Sequence, residues 1–358
     1  MHYKLFLFLI GIALSFIGTN KTSAQIANPE GDLHSLAADD IWAQTLEGSY
    51  FNEFWNYQFY FDNGMTVHAI YSAANFGSLK SPVTGVRLSV YFPDGSTYQL
   101  SREYPIDMLV QDRDNYRFQL HPEREVFFEG KLPERHRIVI KTQKDGVSYD
   151  VDLRLSNIQP GMKWSNGRYQ VHDEQVGIFT HIPYAEARGH VTINNNRQIV
   201  SGTAYMDHTF QNQTTTRLMA SGYRFVHHEN SDNWDIIYTM LPSKNNRNDR
   251  TIGFRLSKEN GTITQSGIHS ILQFHRGTAF GDRLPRIIEF ENNEREIYRI
   301  SRSVDHEKFS VLDELSWIAR RAARSFLGGE VVDYRGTAVL LETAHRPKEG
   351  HYNFFQIK

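Results

Sequence analysis

The 358-residue chain contains no cysteine. It can therefore form no disulfide bond, supply no thiolate nucleophile and hold no Cys-ligated zinc or iron–sulfur cluster. It also lacks a basic excess, because 39 Lys and Arg against 41 Asp and Glu give a net charge of −2. This balance argues against general nucleic-acid binding. The mean hydropathy of −0.51 excludes a polytopic membrane protein.

Familiar catalytic motifs are missing as well. The sequence has no G-x-S-x-G elbow, Walker loop, G-x-G-x-x-G, H-E-x-x-H or EF-hand loop. The sixteen histidines suggest a metal site, but His227 and His228 are adjacent and would point to opposite faces of a strand. Because no pair has ligand spacing, we predict that the protein holds neither a metal nor another cofactor.

The first 24 residues have the features of a secretory signal peptide. Lys4 precedes a 14-residue apolar run, Leu5 to Gly18, which is too short to span a bilayer comfortably. Thr22-Ser23-Ala24 places small residues before Gln25. We predict cleavage after Ala24 and a periplasmic or secreted protein. The alternative is an uncleaved membrane anchor.

Aromatic residues are abundant, with 23 Phe, 18 Tyr and 5 Trp. Apolar and polar residues alternate through most of the mature chain, as in segment 147–155, which follows the turn Lys144-Asp145-Gly146. Evenly spaced strands with turn signals between them predict an antiparallel sandwich or barrel. The aromatic rings then either form the core or line an apolar cavity.

One amphipathic helix is predicted near the C-terminus, beginning at Ser310 and ending at Gly328-Gly329. Its apolar stripe contains Leu312, Leu315, Ile318, Ala319, Ala322 and Phe326. The opposite face carries Arg320, Arg321 and Arg324. Such a helix either packs its stripe on the outside of a barrel or makes a peripheral membrane contact through the three arginines.

The most unusual local pattern lies in segment 200–210. In a strand its even positions are apolar except for His208, whereas its odd positions, which include Asp207, are mostly polar. The alternation therefore predicts that His208 points into an apolar interior and that Asp207 points the opposite way. A desolvated histidine or carboxyl has the perturbed proton affinity that acid–base chemistry needs. The alternative is a structural histidine that is hydrogen-bonded within a core.

This segment resembles the signature of the AttH/CrtC-type lipocalin-like family, which includes carotenoid 1,2-hydratases (hydroxyneurosporene synthases), survival-factor proteins and lipocalin-like Diels–Alderases. The matching stretches are Phe179–Pro183, Gly189–Val191 and Gly202–Phe210. The family pattern ends in D-H-x-W, so its Trp falls on Phe210, and the Gly that often follows falls on Gln211. Phe210 keeps an aromatic face but lacks the indole N–H donor.

The resemblance implies an all-β fold of two consecutive lipocalin-like antiparallel barrels, with an apolar ligand in one barrel or between them. Because the family places the D-H motif late in the first barrel, the predicted domains are residues 25–212 and 213–358. The candidate ligand-binding aromatics are Tyr205, Phe210, Tyr223, Trp234 and Trp164. Each of them is also a candidate for ordinary core packing.

We therefore predict an exported lipocalin-like protein that binds a small hydrophobic ligand, such as a lipid or isoprenoid, with no nucleic-acid partner. Asp207 and His208 would then have a structural role or would orient the ligand. The alternative is an enzyme, a lyase like the carotenoid 1,2-hydratases or an isomerase or cyclase acting on an apolar alkene. In that case Asp207 or His208 would be the acid–base group, and Phe210 and Tyr205 would shield a cation.

Overall fold

The computed structural model describes residues 32–171, 174–243, 252–343 and 345–358. The predicted signal peptide lies outside the described residues. Within them the chain forms two large antiparallel sheets, the first a half-barrel and the second a closed ring. The predicted all-β architecture is thus confirmed. No helix in these ranges is long and apolar enough to cross a membrane.

The first sheet has 14 strands, and its main path runs β5-β4-β3-β2-β14-β13-β10-β9-β8-β7-β6. Off this path, β11 and β12 pair with β13, and β1 pairs with β11. The strands are β1 (Leu33–Ser35), β2 (Tyr50–Phe61), β3 (Thr66–Phe76), β4 (Val83–Tyr91), β5 (Thr97–Pro105), β6 (Val110–Asp112), β7 (Arg117–Gln119), β8 (Val126–Glu129), β9 (His136–Lys144), β10 (Val147–Ser156), β11 (Met162–Trp164), β12 (Arg168–Val171), β13 (Glu174–Ile193) and β14 (Asn196–Gln211).

This sheet curls because its two longest strands are irregular. The register between β13 and β14 shifts on either side of Ile182, and such bulges bend a strand. Side chains then link the first strand of the path to β9 and β10: Tyr149 donates to the Gln99 carbonyl at 3.0 Å and Lys144 to the Ser101 carbonyl at 3.1 Å. The half-barrel encloses a core rich in large rings, including Trp55 and Phe128.

The second sheet closes on itself, because β22 pairs with β15. Its strands are β15 (Met219–Asn230), β16 (Asn233–Pro242), β17 (Ile252–Glu259), β18 (Thr262–Ala279), β19 (Asp282–Asn292), β20 (Ile297–Phe309), β21 (Val331–Leu341) and β22 (Lys348–Ile357). Buried aromatic and aliphatic side chains such as Phe225, Phe290 and Tyr352 fill the interior.

Within the described ranges two α-helices accompany the sheets: α1 (Thr215–Leu218) joins them, and α2 (Trp317–Leu327) precedes β21. The helix begins later in the chain than predicted. Ser310 caps a separate 3₁₀ turn, Val311–Glu314, whereas the Ser316 hydroxyl accepts from the Ala319 N–H and begins α2. Gly328, with φ of 79°, ends α2 as predicted.

The predicted packing of the apolar stripe on a barrel is wrong, because no residue of α2 is buried. Trp317 and Ile318 are 72% and 73% exposed. Salt bridges hold the helix instead. Arg320 pairs with Asp313 at 2.6 Å and with the buried Glu330 at 2.5 Å.

The outward face of β2, β3, β4 and β14 packs against the outward face of β15, β21 and β22. We call this contact the inter-barrel layer. Ion pairs cross it between Asp207 and Arg224 and between Arg87 and Asp333, each at 2.6 Å. The layer brings Arg224 of the second barrel against the Asp207 side of the D-H motif.

Candidate functional site

Strand β14 presents its D-H motif to two different environments. Its Ala204 and Met206 pack into the core of the first sheet, and His208 lies on the same side. Tyr205 packs in a second apolar cluster, formed with residues of β15, β16 and β17. Asp207 follows Tyr205 into the inter-barrel layer. The alternation of the sequence thus gives the observed directions of both side chains.

Asp207 is completely buried and is held from both barrels. Its Oδ1 accepts from Asn56 Nδ2 at 2.8 Å, and its Oδ2 lies 2.6 Å from Arg224 Nε. Burial raises the pKa of Asp207, while Arg224 and Asn56 oppose this rise by stabilising the carboxylate. The carboxyl therefore has a perturbed proton affinity and fixed partners.

Arg224 reaches Asp207 from the second barrel. Its guanidinium carbon lies 5.8 Å from the Tyr205 ring centroid and 5.0 Å from that of Tyr238, distances suited to cation–π contact. Its Nη1 also donates to Asn353 Oδ1 at 3.2 Å. Sequence reasoning missed Arg224. The available signal was an arginine between two aromatic residues, Tyr223 and Phe225.

His208 forms a carboxylate–imidazole pair inside the first half-barrel. Its Nε2 lies 2.6 Å from Glu53 Oε1, and both side chains are fully buried. Glu53 also accepts from the backbone N–H of Gln44 at 2.7 Å and of Thr45 at 3.1 Å. The His208 ring stacks on Trp55 with centroids 4.5 Å apart. Glu53 therefore fixes the orientation of the imidazole. Sequence reasoning missed Glu53, because this residue lies 155 positions before His208.

Aromatic rings enclose this pair. His181 and Phe210 lie 5.6 and 5.3 Å from the His208 ring. The Phe210 ring packs directly on Gly177. A Cβ at position 177 would lie 2.0 Å from this ring, so the ring requires glycine there. Burial, with a smaller contribution from His208, holds the pKa of His181 well below its usual value.

The five predicted ligand-binding aromatics do not share one pocket. Tyr205, Trp164 and Trp234 belong to the apolar cluster between the barrels. Tyr223 lies inside the second barrel, 6.0 Å from the Tyr352 ring, and Phe210 stays beside His208. Each is buried by protein contacts, in keeping with core packing.

A cavity of about 400 Å³ opens between the two barrels. Two histidines in its wall are neutral, because burial lowers the pKa of His228 and of His351 to about 3. His228 Nδ1 lies 3.0 Å from Thr203 Oγ1, and its Nε2 lies 2.8 Å from the Pro183 carbonyl. The lining consists of Tyr60, Thr203, His228, Ser303, Thr337, Ala338, Val339, Glu349, Gly350 and His351.

A second cavity, of about 680 Å³, lies at one end of the second barrel and is mostly polar. Arg255 in its wall is paired with Glu342, and its Nε donates to Asp235 Oδ1 at 2.9 Å. Neither Asp207 nor His208 lines either cavity. Among the described residues, no cluster of three or more His, Asp or Glu side chains is placed to hold a metal.

The inter-barrel cavity is nevertheless connected to Asp207 through the strands. Thr203 and Tyr60 line it, and they are cross-strand partners, as are Asp207 and Asn56. The two pairs are four positions apart along β14, which corresponds to about 13 Å of extended strand. Both pairs face the inter-barrel layer, so the cavity and the Asp207 carboxyl lie along one surface.

The sequence matches no protein-family model and no curated protein. Similar solved structures include an AttH protein of Nitrosomonas europaea, with 12% identity, a TM-score of 0.61 and coverage of 92% of this chain and 98% of that one. CghA with Sch210972 has 11% identity and a TM-score of 0.60, with coverage of 87% and 89%. Kievitone hydratase of Nectria haematococca has 13% identity and a TM-score of 0.52, with coverage of 86% and 88%. The chain therefore has the AttH-like lipocalin fold, as the resemblance around Asp207 and His208 predicts.

Proposed function

We propose that the protein binds a small hydrophobic molecule, a lipid or an isoprenoid, between its two barrels. The supporting observation is the cavity of about 400 Å³ lined by Tyr60, His228 and His351. This volume lies within the range of small-molecule sites, roughly 300–1,000 Å³. Its wall combines apolar surface from Ala338, Val339 and the Tyr60 ring with one carboxylate side chain, Glu349. The Tyr60 ring stacks on the uncharged His351 with centroids 3.8 Å apart.

Filling the cavity tests this proposal. Thr337 lines it, so we expect Thr337→Trp to abolish binding of the neutral dye N-phenyl-1-naphthylamine, measured by fluorescence. Ile199→Trp is the matched control, because Ile199 is 74% exposed and lies outside the lining. Unchanged dye binding in Thr337→Trp would contradict the site. Mass spectrometry of lipids extracted from the protein purified from its own host identifies the ligand class.

A second candidate function is acid–base chemistry on an alkene through Asp207. The supporting observation is that burial raises the pKa of this carboxyl, as a general acid requires. One of the similar structures is named as a hydratase and another as CghA bound to Sch210972. Asp207→Asn with Arg224→Met removes the acid and its counter-charge together. Unchanged turnover of an extracted ligand by this double variant would exclude the role.

The contacts of Asp207 and His208 bear on the choice between these two functions. Both are fully buried, both are fixed by partners, and neither touches a described cavity. These contacts favour ligand binding with the D-H motif as a structural element. Catalysis by Asp207 would require its carboxyl to reach the ligand along the inter-barrel layer.

Export and membrane contact remain predictions. Amino-terminal sequencing of the protein recovered outside the cytoplasm should begin at Gln25. Of the three arginines proposed for a membrane surface, Arg320 and Arg324 pair with Glu330, whereas Arg321 lies beside the exposed Trp317. Peripheral contact therefore depends on Arg321 and Trp317. We expect Arg321→Glu to weaken flotation with anionic liposomes.

A further inference from the structure

Four side chains of the inter-barrel layer carry nitrogens that have no hydrogen-bond partner in the described part of the chain. These are Gln58 Nε2, both ring nitrogens of His68, Arg335 Nε and Nη2, and Asn353 Nδ2. The residues are only 5, 6, 8 and 7% exposed, respectively. Unpartnered buried donors destabilise a fold, so their concentration in one layer points to a bound group. We call these four residues the donor patch.

The donor patch is contiguous. Gln58 and His68 are cross-strand partners on β2 and β3, and His68 pairs in turn with Ser89 on β4. Arg335 crosses from the second barrel and donates from Nη1 to Ser89 Oγ at 3.3 Å. Asn353 is the cross-strand partner of Arg335 on β22. The four residues therefore meet across the layer.

The free positions of the patch are almost all donors. Gln58 Oε1 accepts from the Tyr60 hydroxyl, so its amide keeps free N–H groups. Asn353 Oδ1 is occupied by Arg224, and its amide nitrogen faces the Asp333 carboxylate, whose pKa it lowers. Burial lowers the pKa of His68 well below its usual value, and Arg335 adds to this. The neutral imidazole of His68 offers one N–H donor and one lone pair. A group with only acceptor oxygens suits this set.

The charge of the layer limits the choice of group. Arg87, Arg224 and Arg335 are matched by Asp333, Asp207 and Glu307, respectively. A phosphate dianion would add two uncompensated charges to a buried site. A carboxylate adds only one and can be bound bidentately by guanidinium and amide N–H groups.

The donor patch adjoins the inter-barrel cavity through Tyr60. This side chain lines the cavity, stacks on His351 and donates to Gln58. Gln58 lies two residues before Tyr60 on β2, and Arg335 lies two residues before the lining Thr337 on β21. Both therefore share a strand face with the cavity wall, and the donor patch borders the cavity.

We propose that the inter-barrel layer binds an amphipathic carboxylic acid, with its carboxylate on the donor patch and its apolar chain in the cavity. This inference rests on the proposed binding function and narrows it to one chemical class. His68 and Arg335 are the specificity-determining residues.

Calorimetric titration with dodecanoate, dodecanol and dodecylamine, each below its aggregation concentration, tests the inference. We expect dodecanoate to bind at least about tenfold more tightly than either of the others, since a hydrogen bond to a charged group is worth about this factor or more. Equal binding of the three would overturn the carboxylate assignment and leave cavity binding intact. If none of them binds and the neutral dye does not bind, both proposals fail.

Variants locate the effect on the donor patch. His68→Phe should fold normally, because neither ring nitrogen has a partner among the described residues, and should lower dodecanoate affinity about tenfold without changing dodecanol affinity. His190→Phe, at a partly buried histidine outside the layer, is its control. Arg335→Met should abolish the preference for dodecanoate, and Arg299→Met, at a surface arginine, should keep it. A preference that survives both His68→Phe and Arg335→Met would refute the assignment.

Discussion

The two faces of β14 place adjacent residues in contrasting surroundings. On one face, His208 bonds to Glu53 within the first half-barrel, where rings surround it and Glu53 accepts from backbone donors. On the other face, Asp207 pairs with Arg224 across the inter-barrel layer, along the surface that holds a cavity and the donor patch. One motif can therefore stabilise a single barrel with one side chain and join two barrels with the next.

This contrast predicts that the two sides contribute differently to stability and to ligand binding. The His208 side is closed by contacts within one sheet, and its removal should affect mainly folding. The Asp207 side combines ion pairs between the barrels with unpartnered donors, so changes there should affect both the barrel contact and ligand binding.

Asp207→Ala should have the largest effect. It leaves the buried Arg224 guanidinium without its carboxylate, and breaking a buried ion pair in this way costs about 3–5 kcal/mol. Chemical denaturation should show this loss in the free energy of unfolding. Removing both charges with Asp207→Asn and Arg224→Met should cost less than Asp207→Ala alone. An equal or larger loss would show that the pair is not the origin of the effect.

Acidification from pH 6 to pH 4 should destabilise the inter-barrel layer by a comparable amount. The folded pKa of His228 and of His351 is about 3, below the unfolded value of about 6.5. Between these values the unfolded state binds more protons, so the free energy of unfolding falls as the pH falls. Each histidine contributes about 1.4 kcal/mol per pH unit to this slope between pH 6 and pH 4.

Measuring unfolding at several pH values checks this prediction. His228→Gln should reduce the slope by about the share of one histidine. His275→Gln is the control, because the His275 side chain is 44% exposed. If the two variants had the same slope, His228 would not be the titrating group.

Glu53→Gln tests the His208 side. The carboxylate oxygens of Glu53 face only donors, from Gln44, Thr45 and His208, so an amide group would direct its own N–H at one of them. We expect a loss of about 1–3 kcal/mol in the free energy of unfolding, with dye binding per folded molecule unchanged. Loss of dye affinity in the folded variant would mean that the His208 side also serves the ligand.

Tyr223→Phe should have the smallest effect. The Tyr223 hydroxyl is buried in the second barrel and has no hydrogen-bond partner within the described ranges. Its removal should leave stability unchanged or raise it by up to about 1 kcal/mol, because the cost of burying an unpaired hydroxyl is removed. Thermal unfolding and dye titration provide the measurements. Weaker dye binding would identify Tyr223 as a ligand contact after all.

The alternation of the sequence was sufficient for the local geometry of the candidate site. It gave the β-strand around Asp207 and His208 and the opposite directions of their side chains, because neighbouring residues of a strand face opposite sides. The motif Gly202–Phe210, taken with its resemblance to AttH-type proteins, also led to the correct fold. By contrast, the apolar stripe of α2 did not predict packing, since periodicity shows that a face exists but not that another element covers it.

The sequence by itself determined the all-β fold and the two faces of the strand around Asp207 and His208, since these depend on local alternation and turn residues. Only the tertiary structure decided that Glu53 would meet His208, that Arg224 would meet Asp207, and that Gln58, His68, Arg335 and Asn353 would share one layer. These partners lie on different strands and, in several cases, in different barrels. Their proximity follows from strand order, register and the packing of two sheets, which no short stretch of sequence encodes.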